Sequence, residues 1–278
     1  MNTIQHTPRI LVFDSGVGGL SVMREIQQRL PDCQYLYASD NAAFPYGTKS
    51  EDELIARVDK VLHALLQHIE QGYGPVDIIV VACNTASTLT LPHIRSHFTQ
   101  PIVGVVPAIK PAAIHSATKV IGLLATPATV ARPYTHDLIR EYAGNCTVIS
   151  VGSSELVHLA EQKLRGETIA LEKIAAIVAP FVTAPRAAEL DTLVLACTHF
   201  PLLQDELRQC LPGTIQFIDS GEAIARRVAF LLHQQPPVSR TDLRHCHLAL
   251  FTKATREVEL LRASLKDISL EKVDIVAC

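Results

Sequence analysis

Asp77-Ile78-Ile79-Val80-Val81-Ala82-Cys83-Asn84-Thr85 and Asp191-Thr192-Leu193-Val194-Leu195-Ala196-Cys197-Thr198-His199 decide the fold. Each runs from an Asp through apolar, largely β-branched residues to an Ala-Cys step and then to small polar residues. A short apolar run bounded in this way reads as a strand buried on both faces, as in a parallel sheet. In both copies the Cys stands where the strand gives out and a helix should begin. That carboxyl edge is where ligands bind in open α/β sheets. A buried Cys is most often a small hydrophobe. Two thiols in matching polar settings point to function instead, because a helix N-terminus favours the thiolate. Two such thiols from two similar halves could face each other across a cleft.

Working outward, Arg9 to Phe13 reads as a strand that runs into Asp14-Ser15-Gly16-Val17-Gly18-Gly19-Leu20-Ser21, with a helix from about Leu20. A dinucleotide fingerprint would need a Gly where Ser21 stands, and no Gly-Lys-Ser/Thr comes after it, so the glycines do not read as a nucleotide loop. Asp14 and Ser15 instead place a carboxylate and a hydroxyl at a strand tip. After a strand at 34–38, Pro45-Tyr46-Gly47 can present backbone amides and a phenol to an anion. Ser50-Glu51-Asp52-Glu53 is a capping box opening a helix to about Gly72, on which His63 and His68 read as surface residues.

A helix is expected over 86–98, a strand over 101–105 and a crossover at 106–111. Lys119 to Thr129 then repeats the opening pattern of strand, small polar residues and helix. Equating Phe13-Asp14 with Ala125-Thr126 gives an offset of 112, and the two cysteines give 114 (197 less 83), which suggests a duplicated α/β unit. The second unit continues with a strand over 147–151, helices over 154–164 and 169–181, the Cys197 strand, a helix from Phe200, and a strand over 215–218. Asp219-Ser220-Gly221 repeats the Asp14-Ser15-Gly16 triplet and opens a helix to about His233. Residues 234–239 read as a loop. The tail alternates strand (247–251), helix (254–265) and strand (270–276). A segment of about 40 residues cannot bury a core alone, so the tail should return to the first unit. The expected organisation is α/β: two similar domains with mainly parallel sheets related by pseudo-two-fold symmetry, residues 1–106 plus 220–278 and residues 107–219, with the active site at their interface.

Composition narrows the function. With 48 % hydrophobic residues and a formal charge of −3, the chain reads as an ordinary globular protein, and no basic stripe suggests nucleic acid. No apolar run reaches the roughly 18 residues that span a bilayer, and Met1 to Pro8 lacks the apolar core of a signal peptide. Seven Cys without a C-x-x-C pair fit a reducing cytoplasm rather than a disulfide framework or a zinc site. Cys33, Cys146, Cys210, Cys246 and Cys278 lack the repeated polar context and read as packing or surface residues. His136, His158, His245 and His247 form no ligand set.

Val12 to Ser21, Phe44-Pro45-Tyr46-Gly47, Ala82-Cys83-Asn84-Thr85-Ala86-Ser87 and Ala196-Cys197-Thr198-His199-Phe200-Pro201-Leu202-Leu203 together resemble the glutamate racemases. The likeness runs in order from about residue 9 to 233. In its first half it resembles the enterobacterial type, including Gly104 to Ala112. Four motifs in correct order are specific, whereas any one alone is weak. The resemblance implies an isomerase of two α/β domains, with no cofactor and no metal, that supplies D-glutamate for peptidoglycan and so for cell shape. It places the catalytic thiols at Cys83 and Cys197, with Asp14 and His199 assisting the nearer thiol and Glu161 beside the His. Substrate contacts carry over to Asp14, Ser15, Tyr46, Gly47, Asn84, Thr85, Thr198 and His199, with Thr126 and Thr129 as further matches. Gly152-Ser153-Ser154 departs from the Cys-Pro of many relatives just upstream of Glu161, and Asn41 stands where Thr is commoner.

The rival readings are a racemase or isomerase of aspartate or another small dicarboxylic acid, a non-catalytic regulatory protein on the same scaffold, and thiol-redox chemistry. Some glutamate racemases are reported to bind DNA gyrase. The intact cysteine pair weighs against loss of catalysis, and the absence of C-x-x-C weighs against a redox role. The expected partner is glutamate, with no membrane and no direct nucleic acid. Monomer or homodimer, and activation by a cell-wall precursor as in some enterobacterial relatives, stay open on sequence alone.

Overall fold

The computed structural model describes residues 7–234 and 247–278. Met1 to His6, most of the 234–239 loop, His245 and Cys246 lie outside the described residues. In chain order the first stretch is β1 (Arg9–Asp14), α1 (Gly19–Arg29), β2 (Gln34–Ser39), α2 (Glu51–Tyr73), β3 (Ile78–Val81), α3 (Asn84–His97) and β4 (Ile102–Gly104). Then come α4 (Ile109–His115), β5 (Val120–Ala125), α5 (Pro127–Val130), α6 (Pro133–Tyr142), β6 (Thr147–Gly152), α7 (Glu155–Leu164), α8 (Leu171–Val178), α9 (Pro180–Thr183), β7 (Thr192–Leu195), α10 (Gln204–Cys210) and β8 (Gln216–Ile218). The chain closes with α11 (Gly221–Gln234), β9 (Leu248–Phe251), α12 (Arg256–Leu260), α13 (Arg262–Lys266) and β10 (Lys272–Ile275). Two compact units result, residues 1–105 with 221–278, and residues 106–220.

Among the described residues of the first unit, six parallel strands lie in the order β10-β9-β2-β1-β3-β4. Every residue of β1 and β3 is buried, as expected of strands covered on both faces. Leu11 and Phe13 pack into a cluster with the inward stripe of α2 (Leu54, Val58, Val61, Leu65, Ile69). Each such side chain contributes about 1.5–3 kcal/mol on burial. Pleating turns Ile10 and Val12 to the other face of the sheet, where α1 and α11 pack on each other and on the strands. The Ser50 hydroxyl accepts from the Glu53 amide and starts α2.

The second unit has four parallel strands in the order β6-β5-β7-β8, the same order as β2-β1-β3-β4. Hydrogen bonds make the equivalence specific. The amides of Asp77 and Asp191 bond the carbonyls of Arg9 and Val120, and those of Ala82 and Ala196 bond Phe13 and Leu124. The first strands therefore correspond at an offset of 111 (120 less 9), one short of the 112 read from sequence, while the cysteine strands correspond at 114 (191 less 77). The leading Asp of each stretch also has a role. Asp77 accepts from the Arg9 amide, and Asp191 from the amides of Ala117 and Thr118, so each ties its strand to the start of its neighbour.

Several expectations needed correction. Residues 109–115 form α4 rather than a plain crossover, because Pro111 falls in the first helical turn, where its missing N–H costs nothing. The helix expected over 169–181 breaks at Pro180, and the one over 254–265 divides at Leu261. No α-helix comes directly after Cys197. A 3-10 turn, Phe200–Leu203, intervenes before α10.

Candidate functional site

In the first unit the chemistry gathers at the carboxyl ends of β1 and β3. Asp14 is fully buried at the tip of β1. Its carboxylate accepts from the Ser15 amide at 2.6 Å and the Gly19 amide at 2.5 Å, so the charge sits on the first turn of α1. A Cβ on Gly19 would meet the Ala82 Cβ at 3.0 Å and the Asp14 Cβ at 3.1 Å. This glycine therefore brings helix and strand together, and it serves packing rather than a bound phosphate. The Ser15 hydroxyl lies 3.3 Å from Asp14 Oδ1 and 4.0 Å from the Cys83 sulfur. Cys83, 8 % exposed, is the extended residue just before α3, so its thiol sits at the positive end of a helix of 14 residues. Asn84 and Thr85 form the first turn of that helix, both buried. The Asn84 Oδ1 is buried without a hydrogen-bond partner, an acceptor aimed at a donor that the protein does not supply.

Tyr46 and Gly47 sit in a 3-10 turn beside this edge. The Tyr46 ring packs against Phe13, and its hydroxyl donates to Asp40 Oδ2 at 2.7 Å. The phenol is thus engaged by the protein. Burial, then the Asp40 charge, hold its pKa well above the ordinary tyrosine value. No atom lies within 4 Å of a Cβ built on Gly47, so the turn borders open space. Asp40 is a hub with no counterpart among the residues singled out from sequence. Arg57 Nε and Nη2 grip its two oxygens at 2.8 and 2.6 Å, and Thr252 donates to it at 2.7 Å. Burial alone would raise its pKa, but these bonds outweigh that and hold it below the usual carboxylate range. The available signal was an Arg among the buried residues of α2, between Leu54 and Val61.

In the second unit Cys197 comes after β7 at the station that Cys83 holds after β3. Its sulfur lies 3.8 Å from His199 Nδ1, and His199 Nε2 lies 2.9 Å from Glu161 Oε1. The result is a buried line from thiol to imidazole to carboxylate. Burial of His199 opposes its charge, yet the contacts with Cys197 and Glu161 prevail and raise its pKa well above the ordinary histidine value. Arg165 stands 3.9 Å behind Glu161. Lys163 donates to the Leu202 carbonyl at 2.9 Å and to Glu206 at 2.8 Å, tying α7, which carries Glu161, to the segment after His199. Where the chain departs from Cys-Pro, the Ser153 hydroxyl accepts from the Leu156 amide and starts α7. Thr198 is buried beside Cys197. Thr126 caps α5 by accepting from the Thr129 amide and donates to the Thr129 hydroxyl, so this pair completes a helix start.

The two cysteine settings share a backbone pattern and differ in chemistry. Cys83 has a helix N-terminus and the Asp14–Ser15 pair. Cys197 has the His199–Glu161 pair.

Comparison with known proteins bears on the family and the fold. A family profile described as Asp/Glu/Hydantoin racemase matches residues 10–228. The chain is 51 % identical to a glutamate racemase of Salmonella typhimurium, over 90 % of this chain and 87 % of that one. It is 50 % identical to one of Pectobacterium carotovorum, over 96 % and 92 %. Among solved structures, Escherichia coli glutamate racemase in complex with L-glutamate and the activator UDP-MurNAc-Ala aligns with a TM-score of 0.91 at 47 % identity, covering 98 % of this chain and 99 % of that one. No helix among the described residues is long and apolar enough to cross a membrane. The chain therefore belongs to the Asp/Glu/hydantoin racemase family of isomerases, on its glutamate racemase branch.

Proposed function

We propose that this protein interconverts L- and D-glutamate by a two-thiol mechanism that needs no cofactor, and so supplies D-glutamate for peptidoglycan. The observation that carries the reading is the matched station of Cys83 and Cys197, each one residue past the last ladder bond of an equivalent strand. Inverting Cα requires a proton to leave one face and another to arrive on the opposite face. Two bases achieve this without moving around the carbanion. One resting sulfur is the thiolate and the other the thiol, a coupled pair that exchanges roles with the direction of reaction.

The barrier is the weak acidity of Cα–H beside a carboxylate. If its pKa lies on the order of ten units above a thiol's, the gap is ~14 kcal/mol. Preorganised donors must stabilise the charge that develops on the α-carboxylate. Thr85 and Thr198, with the amides of the first turn of α3, supply them. The unpartnered Asn84 Oδ1 accepts from the substrate ammonium. The turn at Tyr46 and Gly47 receives the side-chain carboxylate and so selects glutamate over the shorter aspartate. Asp14 holds the Ser15 hydroxyl against Cys83, and Glu161 keeps His199 charged beside Cys197. The complex of the E. coli relative with UDP-MurNAc-Ala supports a response of this chain to the same activator.

Replacing Cys83 or Cys197 by Ser should abolish racemisation in both directions, monitored by circular dichroism of glutamate, while the far-ultraviolet spectrum of the protein stays unchanged. Full activity in either variant would refute the two-base scheme. Cα–deuterium exchange on glutamate and aspartate separates the two substrates, and adding UDP-MurNAc-Ala to the same assay tests the activator.

A further inference from the structure

We propose that the first unit carries a surface site for a divalent transition-metal ion, formed by Asp59 of α2 and by His93 and His97 of α3. His93 and His97 are one helical turn apart and face α2 together. His97 Nδ1 lies 2.7 Å from Asp59 Oδ1, and His93 Nε2 lies 3.5 Å from the same oxygen. The three donor atoms all fall within 4.8 Å of one another. A tetrahedral ion with bonds of about 2.0–2.1 Å holds its ligand atoms roughly 3.3 Å apart, so the cluster needs little adjustment to close on one.

The surroundings favour an ion over a simple ion pair, which needs only one imidazole. Here a third, His63, has Nδ1 3.6 Å from Asp59 Oδ2, and the rings of His93 and His97 sit with centroids 4.0 Å apart. His63 is held in place by the Asp59 carbonyl at 2.9 Å and by the Phe98 ring. It flanks the second carboxylate oxygen and leaves Oδ1 to the ion. Two imidazoles and one carboxylate make a borderline donor set, suited to Zn²⁺, Co²⁺ or Ni²⁺ and poor for Mg²⁺ or Ca²⁺, which take oxygen shells. Water fills the remaining position. The side chains of Asp59, His93 and His97 are 25 %, 37 % and 41 % exposed, enough for an ion to enter from solvent.

The ion is structural. His93 lies nine residues along α3 from Asn84, about 14 Å at 1.5 Å per residue, too far to touch the reacting carbon. What it joins are two helices that leave the site loops: α2 begins just after the Tyr46–Gly47 turn, and α3 just after Cys83.

The test titrates the tag-free full chain with Co²⁺, whose visible bands report nitrogen and oxygen ligands, while a thiolate ligand adds a charge-transfer band in the near ultraviolet. The parent should bind one equivalent with no sulfur band, and the thermal midpoint should rise with added ion. In His93→Gln/His97→Gln, and separately in Asp59→Asn, affinity should fall by more than the roughly 10- to 100-fold that loss of an outer partner costs, with the fold unchanged by circular dichroism. Binding that persists in these variants, a sulfur band on the first equivalent, or no saturable binding by the parent would each overturn the assignment.

Discussion

Glu161→Gln tests the line from carboxylate to imidazole to thiol, because it removes one charge and almost no volume. The His199–Glu161 contact of 2.9 Å is buried. A hydrogen bond of that kind to a charged group contributes about 1.5–3 kcal/mol. If the bond supports the transition state through His199, kcat/KM should drop by about 10- to 100-fold, at 1.36 kcal/mol per decade. The fold should survive, since Arg165 keeps Glu167 at 2.8 Å as an ion-pair partner. The sign of the pH effect is fixed as well. The folded pKa of His199 is raised, so the parent holds the imidazolium to higher pH than a free histidine and loses it as pH rises through that value. Without the Glu161 charge the imidazolium is lost sooner, and the alkaline limb of the rate profile should move toward acid.

The assay is racemisation from each enantiomer across pH, read by circular dichroism. The enantiomers are equal in free energy, so kcat/KM must fall by the same factor in both directions. A variant within about twofold of the parent, with an unmoved alkaline limb, would refute a role for Glu161 through His199.

Asp40→Asn should leave Arg57 and Tyr46 facing a neutral partner in a buried site, costing about 3–5 kcal/mol as broken buried pairs do; thermal unfolding reads the loss, and KM for glutamate should rise as the Tyr46–Gly47 turn loosens. Gly19→Ala gains up to about 1 kcal/mol of helix preference but meets Ala82 and Asp14 at 3.0 and 3.1 Å, an overpacking that costs about 1–3 kcal/mol, so the melting point should fall. Asp191→Asn tests the tie at the start of β7. Burial would raise the Asp191 pKa, but bonds from the amides of Thr118 and Ala117 and from the Thr192 hydroxyl bring it down to about 2. The parent therefore keeps this stability above the ordinary carboxylate range and loses it as pH falls toward 2, and urea midpoints between pH 5 and pH 3, on either side of the ordinary Asp value of about 3.9, should fall less steeply in the variant.

The strands were legible because β1, β3, β5 and β7 are buried along their whole length, and burial on both faces forces continuous apolar runs. The α2 start was legible because a capping box is local chemistry. The turn after Cys197 was not. Thr198-His199-Phe200-Pro201 looks like a helix start, yet Pro201 and the Phe200 amide, bonded to the Cys197 carbonyl, tighten it into a 3-10 turn. The Asp40–Arg57–Thr252 hub brings Thr252 from the far end of the chain onto Asp40 and Arg57, so no spacing announces it. The Asp59–His93–His97 cluster escaped for the same reason, since His-x-x-x-His on α3 gains meaning only when α2 packs beside it.

Duplication of the strand order explains how two thiols reach matched stations, and divergence around them explains how each is tuned. A repeated backbone fixes where a side chain stands, because ladder register leaves no freedom at a buried strand end. It does not fix the electrostatics, which the segment just beyond each strand supplies. After Cys83 an α-helix of 14 residues contributes its dipole. After Cys197 the helix is displaced by a 3-10 turn, and the same turn delivers His199 to within 3.8 Å of the sulfur. A point charge thus replaces a dipole at the second station. Because the enantiomers are isoenergetic, this asymmetry cannot favour one product. It can only divide each direction's kcat/KM differently between kcat and KM, so on the proposed two-thiol reading the expected kinetic signature of unlike thiols on like strands is unequal turnover numbers from L- and D-glutamate with equal kcat/KM.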